Sequence, residues 1–342
     1  MKWHMSIGHV GMRKALSVVT AAAVAMSPAV AGPALLFDPA NGRILYAEDQ
    51  DDQWFPASLT KIMTAYLVFE AIRDGKISLQ DKIKVSELAH SQPPSRLGLP
   101  VGAEIAVDTA LQALIIKSAN DAAVMLAEKV AGSQEAFASA MNAAAKRLGM
   151  TRTNFVNPNG LPAPEQMSTA RDLARLTIAV VRDFPGYAHY WAMEEMRLGK
   201  RVLRNHNPLL RSYEGSDGMK TGFICDSGFN LVASASRDGK KLVAVVLGET
   251  TGGNRSARAA NLLEHGFQTL GWKTVFGTDS LDTLPVAADA KSVVSIRQSV
   301  ISWACGTGRR RAVARAKNKG KRGVVTAAAK AKTGQAAKKP PQ

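Results

Sequence analysis

Residues 56–69 read PASLTKIMTAYLVF, a short polar segment that leads without a break into a long apolar run. A proline is tolerated in the first turn of a helix, because its missing N–H would have no intrahelical partner there, so we predict a helix that begins near Pro56 or Ala57. Ser58 then lies in the first turn and Lys61 lies one turn later on the same face. The Lys61 amine can act as the base that turns the Ser58 hydroxyl into a nucleophile, provided that burial or a second cation keeps the amine neutral.

Two later segments give this pair its meaning, since a Ser-x-x-Lys pair alone fits a capped helix with a solvated lysine equally well. Ser118-Ala119-Asn120 is predicted to connect two helices, where short polar side chains can point into a cleft. The tripeptide KTG at 220–222 is predicted at the start of a strand, where its glycine lets a substrate or another backbone come close. Read in order, Ser-x-x-Lys, Ser-x-Asn and Lys-Thr-Gly form the triple signature of penicillin-binding proteins and serine β-lactamases.

Within that superfamily the chain resembles the low-molecular-mass D-alanyl-D-alanine carboxypeptidases from about Leu35 to Trp272. Further support comes from NPNGLP at 157–162, STARDLA at 168–174, NHN at 205–207, GMKTG at 218–222 and NLVASA at 230–235. The resemblance implies an α/β fold of the α+β type, with an antiparallel sheet flanked by helices and a helical cluster. It implies a serine-type carboxypeptidase that acts on peptidoglycan stem peptides ending in D-Ala-D-Ala through an acyl-enzyme, is inhibited by β-lactams and uses no cofactor.

The resemblance also carries catalytic roles over to single residues. Ser58 would attack the carbonyl of the penultimate D-alanine, with neutral Lys61 as its base. Lys220 would help to keep Lys61 neutral and would contribute positive potential. Ser118 would relay a proton toward the leaving amine, and Asn120 would hold the acyl side chain by its amide.

Four residues are assigned to substrate binding in the same way. The backbone N–H groups of Ser58 and Phe223 would form the oxyanion hole, and Gly222 would leave room for the substrate. Thr221 and Arg255 would bind the terminal carboxylate. No metal is implied, because the six histidines show no short-range spacing with acids or cysteines that is typical of a metal site.

Three other functions stay open. A β-lactamase of class A uses a glutamate for deacylation, and Glu165 lies in roughly the right region, but PAPEQ at 162–166 matches the carboxypeptidase pattern and position 119 is alanine rather than aspartate. A DD-endopeptidase would use the same site. A non-catalytic envelope-binding protein is the alternative from another class, and the intact motifs count against it.

The hydrophobic pattern predicts the order of the elements. A hairpin around Asn41-Gly42 and a second around Asp238-Gly239 are predicted from turn residues between short apolar runs. Helices are predicted over 108–117, 120–130, 133–148 and 257–270, and one more begins at Ser168-Thr169. Strands at both ends with helices between them favour one antiparallel sheet with helices on its faces.

The N-terminal segment has the pattern of an export signal. Lys2, Arg13 and Lys14 precede the apolar run 15–26, and AVA at 29–31 matches a small-x-small cleavage site. A membrane-spanning helix is the alternative, but the run is shorter than the roughly 20 residues that a bilayer requires. We therefore predict a signal peptide over 1–31, a mature chain in the periplasm, a catalytic domain over 32–275 and a linker or short amphipathic segment over 276–308.

The formal net charge of +16 is concentrated near the C-terminus. Residues 309–342 contain twelve Lys and Arg residues and no acid, while residues 32–308 are nearly neutral. Such a composition predicts a disordered basic tail. We expect it to tether the protein peripherally to an anionic surface of the envelope, and export makes a functional nucleic-acid partner unexpected.

Two expectations concern the segment between the catalytic domain and the tail. Cys225 lies in a predicted core segment and Cys305 beside the basic tail, so we predict two unpaired thiols, although an exported chain permits a disulfide. Val293, Ile296 and Val300 fall at helical spacing with Trp303, so the sequence leaves a short amphipathic helix and a loosely packed strand equally open.

Overall fold

The computed structural model of the chain describes residues 32–276, 279–302 and 305–306. The predicted signal peptide, the predicted basic tail and Trp303 lie outside the described residues. The strands are β1 (Ala34–Phe37), β2 (Ile44–Glu48), β3 (Lys82–Lys84), β4 (Glu104–Ala106), β5 (Glu195–Leu198), β6 (Arg201–Arg204), β7 (Ser216–Ile224), β8 (Gly228–Arg237) and β9 (Lys240–Glu249). The helices are α1 (Thr60–Arg73), α2 (Glu87–His90), α3 (Val107–Gln112), α4 (Asn120–Ala131), α5 (Gln134–Arg147), α6 (Ala170–Asp183), α7 (Ala188–Ala192), α8 (Leu209–Ser212) and α9 (Gly252–Phe276).

The central sheet has five antiparallel strands in the order β2-β1-β9-β8-β7. Both predicted hairpins are present, and the glycines of their turns, Gly42 and Gly239, have φ values of 69° and 72°. The first strand of the sheet pairs with the last, with Leu35 opposite Val245. The predicted α+β fold with one antiparallel sheet is therefore confirmed, and β7 forms one edge of it.

The two faces of the sheet are covered by different helices. On one face, Leu35, Phe37 and Val245 belong to the large core that includes α1 and the other helices of the cluster. On the other face, Leu36, Val246 and their neighbours pack against α9. The alternation of side chains along each strand explains why consecutive residues belong to different cores.

Helix α1 lies at the centre of the helical cluster. Every residue from Thr60 to Phe69 is buried, and the helix contacts α4, α5 and α6. A helix that is apolar all round is stable only when it is surrounded, so its few polar groups need partners inside the protein. The Thr64 hydroxyl, for example, donates to the Pro158 carbonyl at 2.6 Å.

Three local structures differ from the sequence predictions. The helix predicted from Pro56 begins with a 3₁₀ turn over Ala57–Leu59 before α1 starts. The helix predicted over 108–117 is divided into α3 and a wider π turn, Ala113–Lys117. Lys220 lies in the interior of β7 rather than at its start.

Residues 279–302 form an extended segment, here called the C-terminal strap, that contains no regular helix or strand in the described part of the chain. Apart from three short turns of its own, its backbone bonds to the body: Leu281 N donates to Gly42 O at 3.0 Å and Ile301 N to Thr250 O at 2.9 Å. Val300 is buried. Both possibilities left open for this segment, a short amphipathic helix and a strand, are therefore wrong.

The prediction of two unpaired thiols is also wrong. Cys225 and Cys305 form a disulfide, with their Cα atoms 5.4 Å apart. The strap accounts for the error, because it returns the chain from the end of α9 to the turn that follows β7. No helix in the described residues combines the length and the apolar character needed to cross a membrane.

A buried ion pair fixes the strap to the helical cluster. Arg171 Nε and Nη2 donate to the Asp51 carboxylate at 2.6 and 2.8 Å, and the same guanidinium donates to the carbonyl oxygens of Leu281, Leu284 and Pro285. The two charged side chains are 3% and 1% exposed. The Arg171 guanidinium donates all of these hydrogen bonds. It can stay charged in the interior because the Asp51 carboxylate balances its charge.

We predict that Asp51→Ala lowers the free energy of unfolding by about 3 to 5 kcal/mol, because it leaves the Arg171 guanidinium buried without its counter-ion. Urea unfolding followed by circular dichroism measures the loss. As a control, Arg73→Ala removes an exposed ion pair with Asp74 and should change the transition little. Unfolding of the Asp51 variant at the wild-type urea concentration would contradict the assignment.

Candidate active site

Ser58 lies on a strained turn that enters α1. Ala57 immediately before it has φ of +49°, in the left-handed region that alanine rarely adopts. Gly160 packs so close to this turn that a Cβ on it would lie 1.9 Å from the Ala57 carbonyl oxygen. Ser58 is half-buried between buried neighbours and lines a cleft. The turn therefore holds a serine hydroxyl in one place at the surface of a rigid helix.

The Lys61 side chain is fully buried beneath that hydroxyl. Its Nζ lies 2.9 Å from Ser58 Oγ, and it donates to Asn120 Oδ1 at 2.8 Å and to the Asn159 carbonyl. A neutral amine has two N–H donors and one lone pair. The two carbonyl-type oxygens can accept both N–H groups of a neutral amine, whose lone pair would then face the Ser58 hydroxyl.

The electrostatics of the site favour the neutral amine. Burial lowers the pKa of Lys61 well below 10.5, and the charge of Lys220 lowers it further, whereas Asp121 acts in the opposite direction. Burial and the nearby Arg255 in turn lower the pKa of Lys220 to about 7. Arg255 is itself buried enough that its pKa falls to about 10, so it stays charged at neutral pH.

Ser118 and Asn120 lie side by side where the π turn meets α4. Ser118 has φ of +57°, and its Oγ is buried without a hydrogen-bond partner among the described residues. Asn120 Nδ2 donates to the Pro93 carbonyl at 2.9 Å, which leaves its second amide hydrogen for another acceptor. Buried polar atoms without partners are rare, so the Ser118 hydroxyl is a site where a ligand can bind.

Strand β7 forms the opposite wall of the cleft and comes directly against the nucleophile turn. A Cβ on Gly222 would lie 2.8 Å from the Pro56 carbonyl oxygen and 3.2 Å from Ser58 N. On the neighbouring strand β8, Asn230 Nδ2 donates to the Phe55 carbonyl of the segment that leads into this turn, at 2.9 Å. Because β7 is an edge strand, its outer backbone groups are open to a ligand.

The cleft has a volume of about 620 Å³ and brings the predicted residues together. Seven of them line it: Ser58, Ser118, Asn120, Thr221, Gly222, Phe223 and Arg255. The two remaining predicted residues, Lys61 and Lys220, are buried. Glu165 is exposed and does not line the cleft, so nothing in its position suggests a part in deacylation.

Several residues at the site were not predicted. The Asn159 carbonyl binds Lys61, and Asp121 accepts from the N–H groups of Leu97 and Gly98, which fixes a loop beside the cleft. The NPNGLP segment had marked Asn159 as a position of resemblance, but no role followed from it. Arg297 on the strap also lines the cleft, and no sequence signal pointed to it.

The chain is similar to known peptidases over this body. The profile of the family described as D-alanyl-D-alanine carboxypeptidase matches residues 19–251. D-alanyl-D-alanine carboxypeptidase DacC of Escherichia coli is 41% identical over 241 residues, which cover 68% of this chain and 60% of DacC. The D-alanyl-D-alanine carboxypeptidase of Streptomyces sp. (strain K15) is 32% identical over 66% of this chain and 84% of that protein.

Solved structures of penicillin-binding proteins are also similar to this chain. Penicillin binding protein 6B from Escherichia coli is similar with a TM-score of 0.67 and 37% identity, over 70% of this chain and 77% of that one. Penicillin-Binding Protein D2 from Listeria monocytogenes, in its cefotaxime bound form, has a TM-score of 0.64 and 32% identity, over 69% of this chain and 97% of that one.

The chain spans about three fifths of the length of DacC. The match to the family profile nevertheless covers more than half of this chain, and it includes the serine turn, the Ser118 connection and β7. The chain belongs to the D-alanyl-D-alanine carboxypeptidase family.

Proposed function

We propose that the protein is a serine-type D-Ala-D-Ala carboxypeptidase that acts on peptidoglycan stem peptides through an acyl-enzyme and is inhibited covalently by β-lactams. The observation that carries the proposal is the fully buried Lys61 amine, 2.9 Å from Ser58 Oγ and bonded to two carbonyl-type oxygens. That arrangement supplies an active serine without a histidine.

In the acylation step, Ser58 Oγ attacks the carbonyl carbon of the penultimate D-alanine while its proton moves to the lone pair of Lys61. The backbone N–H groups of Ser58 and Phe223 would bind the oxyanion, where the loss of one donor typically costs about 3 kcal/mol. The peptide C–N bond then breaks. The leaving amine takes a proton through the Ser118 hydroxyl, which has no other partner among the described residues.

The preference for a free C-terminal carboxylate is supported by the cations at one side of the cleft. Arg255 and Thr221 line the cleft, and the charge of Arg255 also acts on the neighbouring Lys220. Positive potential in a largely buried place binds a carboxylate strongly, because water screens it little. The same cations would bind the carboxylate of a β-lactam.

We also infer that the protein is exported and acts in the periplasm. The pattern of residues 1–31 supports export, and a disulfide between Cys225 and Cys305 fits an oxidising compartment. The basic residues of 309–342 would then face anionic surfaces of the envelope.

We predict that Ser58→Ala abolishes the covalent adduct with fluorescent penicillin and reduces D-alanine release from a D-Ala-D-Ala peptide roughly a thousandfold or more. The adduct of the wild-type protein should hydrolyse slowly, because Glu165 does not lie at the cleft. Gel fluorescence and an assay of free D-alanine measure both quantities. The exposed Ser212→Ala is the matched control, and a covalent adduct on the Ser58 variant would refute the assignment.

We predict a bell-shaped pH profile for acylation by penicillin. Acylation should rise with pH as Lys61 becomes neutral, through a pKa that lies well below 10.5. It should fall again above about pH 7, where Lys220 loses its charge. Arg255→Gln removes a cation that lowers the pKa of Lys220, so the alkaline limb should move to higher pH even though affinity falls. Rates that do not change between about pH 6 and 10 would count against these roles.

We predict that the basic tail binds anionic surfaces in a salt-dependent manner. Each cation contributes about 1 kcal/mol near anionic lipid, and the attraction fades beyond a Debye length. Sedimentation with anionic vesicles and with purified sacculi compares the full chain with a version that ends at Gly308. Equal sedimentation of both at low salt would contradict the tether, whereas penicillin acylation should be the same for both.

A further inference from the structure

We propose that Arg297, on the C-terminal strap, is a specificity-determining residue that binds a second substrate carboxylate, on the peptide upstream of the scissile D-Ala-D-Ala bond. The inference rests on the proposed function of the cleft. The inference goes beyond that function, because it assigns the recognition of one substrate feature to a residue that belongs to none of the three motifs.

The strap holds Arg297 in a defined place at the rim of the cleft. Ile296 N donates to the Asp226 carbonyl at 3.0 Å, and the Ser295 hydroxyl donates to Asp226 Oδ1 at 2.5 Å. The Cys225–Cys305 disulfide joins the turn after β7 to the chain beyond the strap. These links lie on both sides of Arg297, so the residue is a fixed part of the wall.

The direction of the substrate places its upstream residues beside Arg297. With the terminal carboxylate at Thr221 and the scissile carbonyl at Phe223 N, a peptide that adds antiparallel to the β7 edge runs onward past Ile224 and Cys225 toward Asp226. β7 ends at Ile224, and Asp226 lies in the turn directly after it, so a peptide that continues beyond Ile224 leaves the strand edge beside this turn. A side chain one or two residues upstream of the penultimate D-alanine would then lie near Asp226 and Arg297.

The guanidinium of Arg297 is oriented but not saturated. Its Nε and Nη2 donate to the two oxygens of Asp226 at 3.3 and 3.1 Å, while Nη1 makes no hydrogen bond to the described residues. The side chain is 55% exposed. Asp226 thus holds the planar fork in one orientation, and a carboxylate that binds Nη1 loses less entropy than with a free arginine.

The two arginines that line the cleft, Arg255 and Arg297, would bind different carboxylates of the substrate. Arg255 is 7% exposed and suits the terminal carboxylate that every substrate has. Arg297 comes from a different element and meets the part of the peptide that varies. The expected ligand is a peptide with an acidic residue directly before D-Ala-D-Ala.

The test compares acetyl-L-Glu-D-Ala-D-Ala with acetyl-L-Gln-D-Ala-D-Ala, which differ in one charge at nearly constant shape. The wild-type protein should cleave the acidic peptide with a kcat/KM about fivefold higher, mainly through KM, since a half-exposed ion pair contributes about that much. Arg297→Gln should abolish the preference, because kcat/KM for the acidic peptide should fall about fivefold more than kcat/KM for the neutral peptide. Arg297→Lys should retain part of it, and the control Arg211→Gln, at an exposed ion pair with Glu194, should retain all of it.

A second variant keeps the test independent of the folding of the first. Asp226→Asn keeps one oxygen that can accept from the Arg297 guanidinium but removes the negative charge beside it, so the preference for the acidic peptide should increase. Equal cleavage of both peptides by the wild-type protein, or an equal loss for both in Arg297→Gln, would overturn the inference alone. Cleavage of neither peptide, with no penicillin adduct, would overturn the proposed function and this inference with it.

Discussion

The chemistry of the site depends on excluding water from the Lys61 amine. Lys61 is fully buried, and water would return its pKa to the ordinary range of a lysine and remove its lone pair at neutral pH. The body of the protein is arranged to prevent that. Helix α1 is buried from Thr60 to Phe69, and the groups that replace water around Nζ come from places far apart in the chain, namely Asn120 and Asn159.

Backbone strain is the cost of bringing these groups together. Ala57 and Ser118 both have positive φ values, and each lies at a junction between a turn and a helix at the cleft. Such conformations cost of order 1–3 kcal/mol each for residues other than glycine, and they persist only where the surroundings enforce them. Gly160 and Gly222 allow the close approaches around the Ala57 turn.

The sequence was informative where chemistry or periodicity is local. The hairpin turns, the helices α4 to α6 and all three motifs could be read from neighbouring residues, because turn residues and apolar spacing act within a few positions. The same reasoning failed for Cys225 and Cys305, which lie 80 residues apart. Their pairing depends on the path of the strap, which is set by bonds to the body and which the helical spacing of its apolar residues did not predict. The Asn159 carbonyl was missed for a related reason, since a backbone group has no residue type to identify it.

The pairing of β1 with β9 has a consequence for the order in which the chain is synthesised and folds. Leu35 and Val245 are paired on adjacent strands of one sheet. A ribosome must therefore complete the segment between them before the sheet can close. Contacts so distant in sequence form slowly. Until then β1 and β9 remain without each other, and the five-stranded sheet is incomplete.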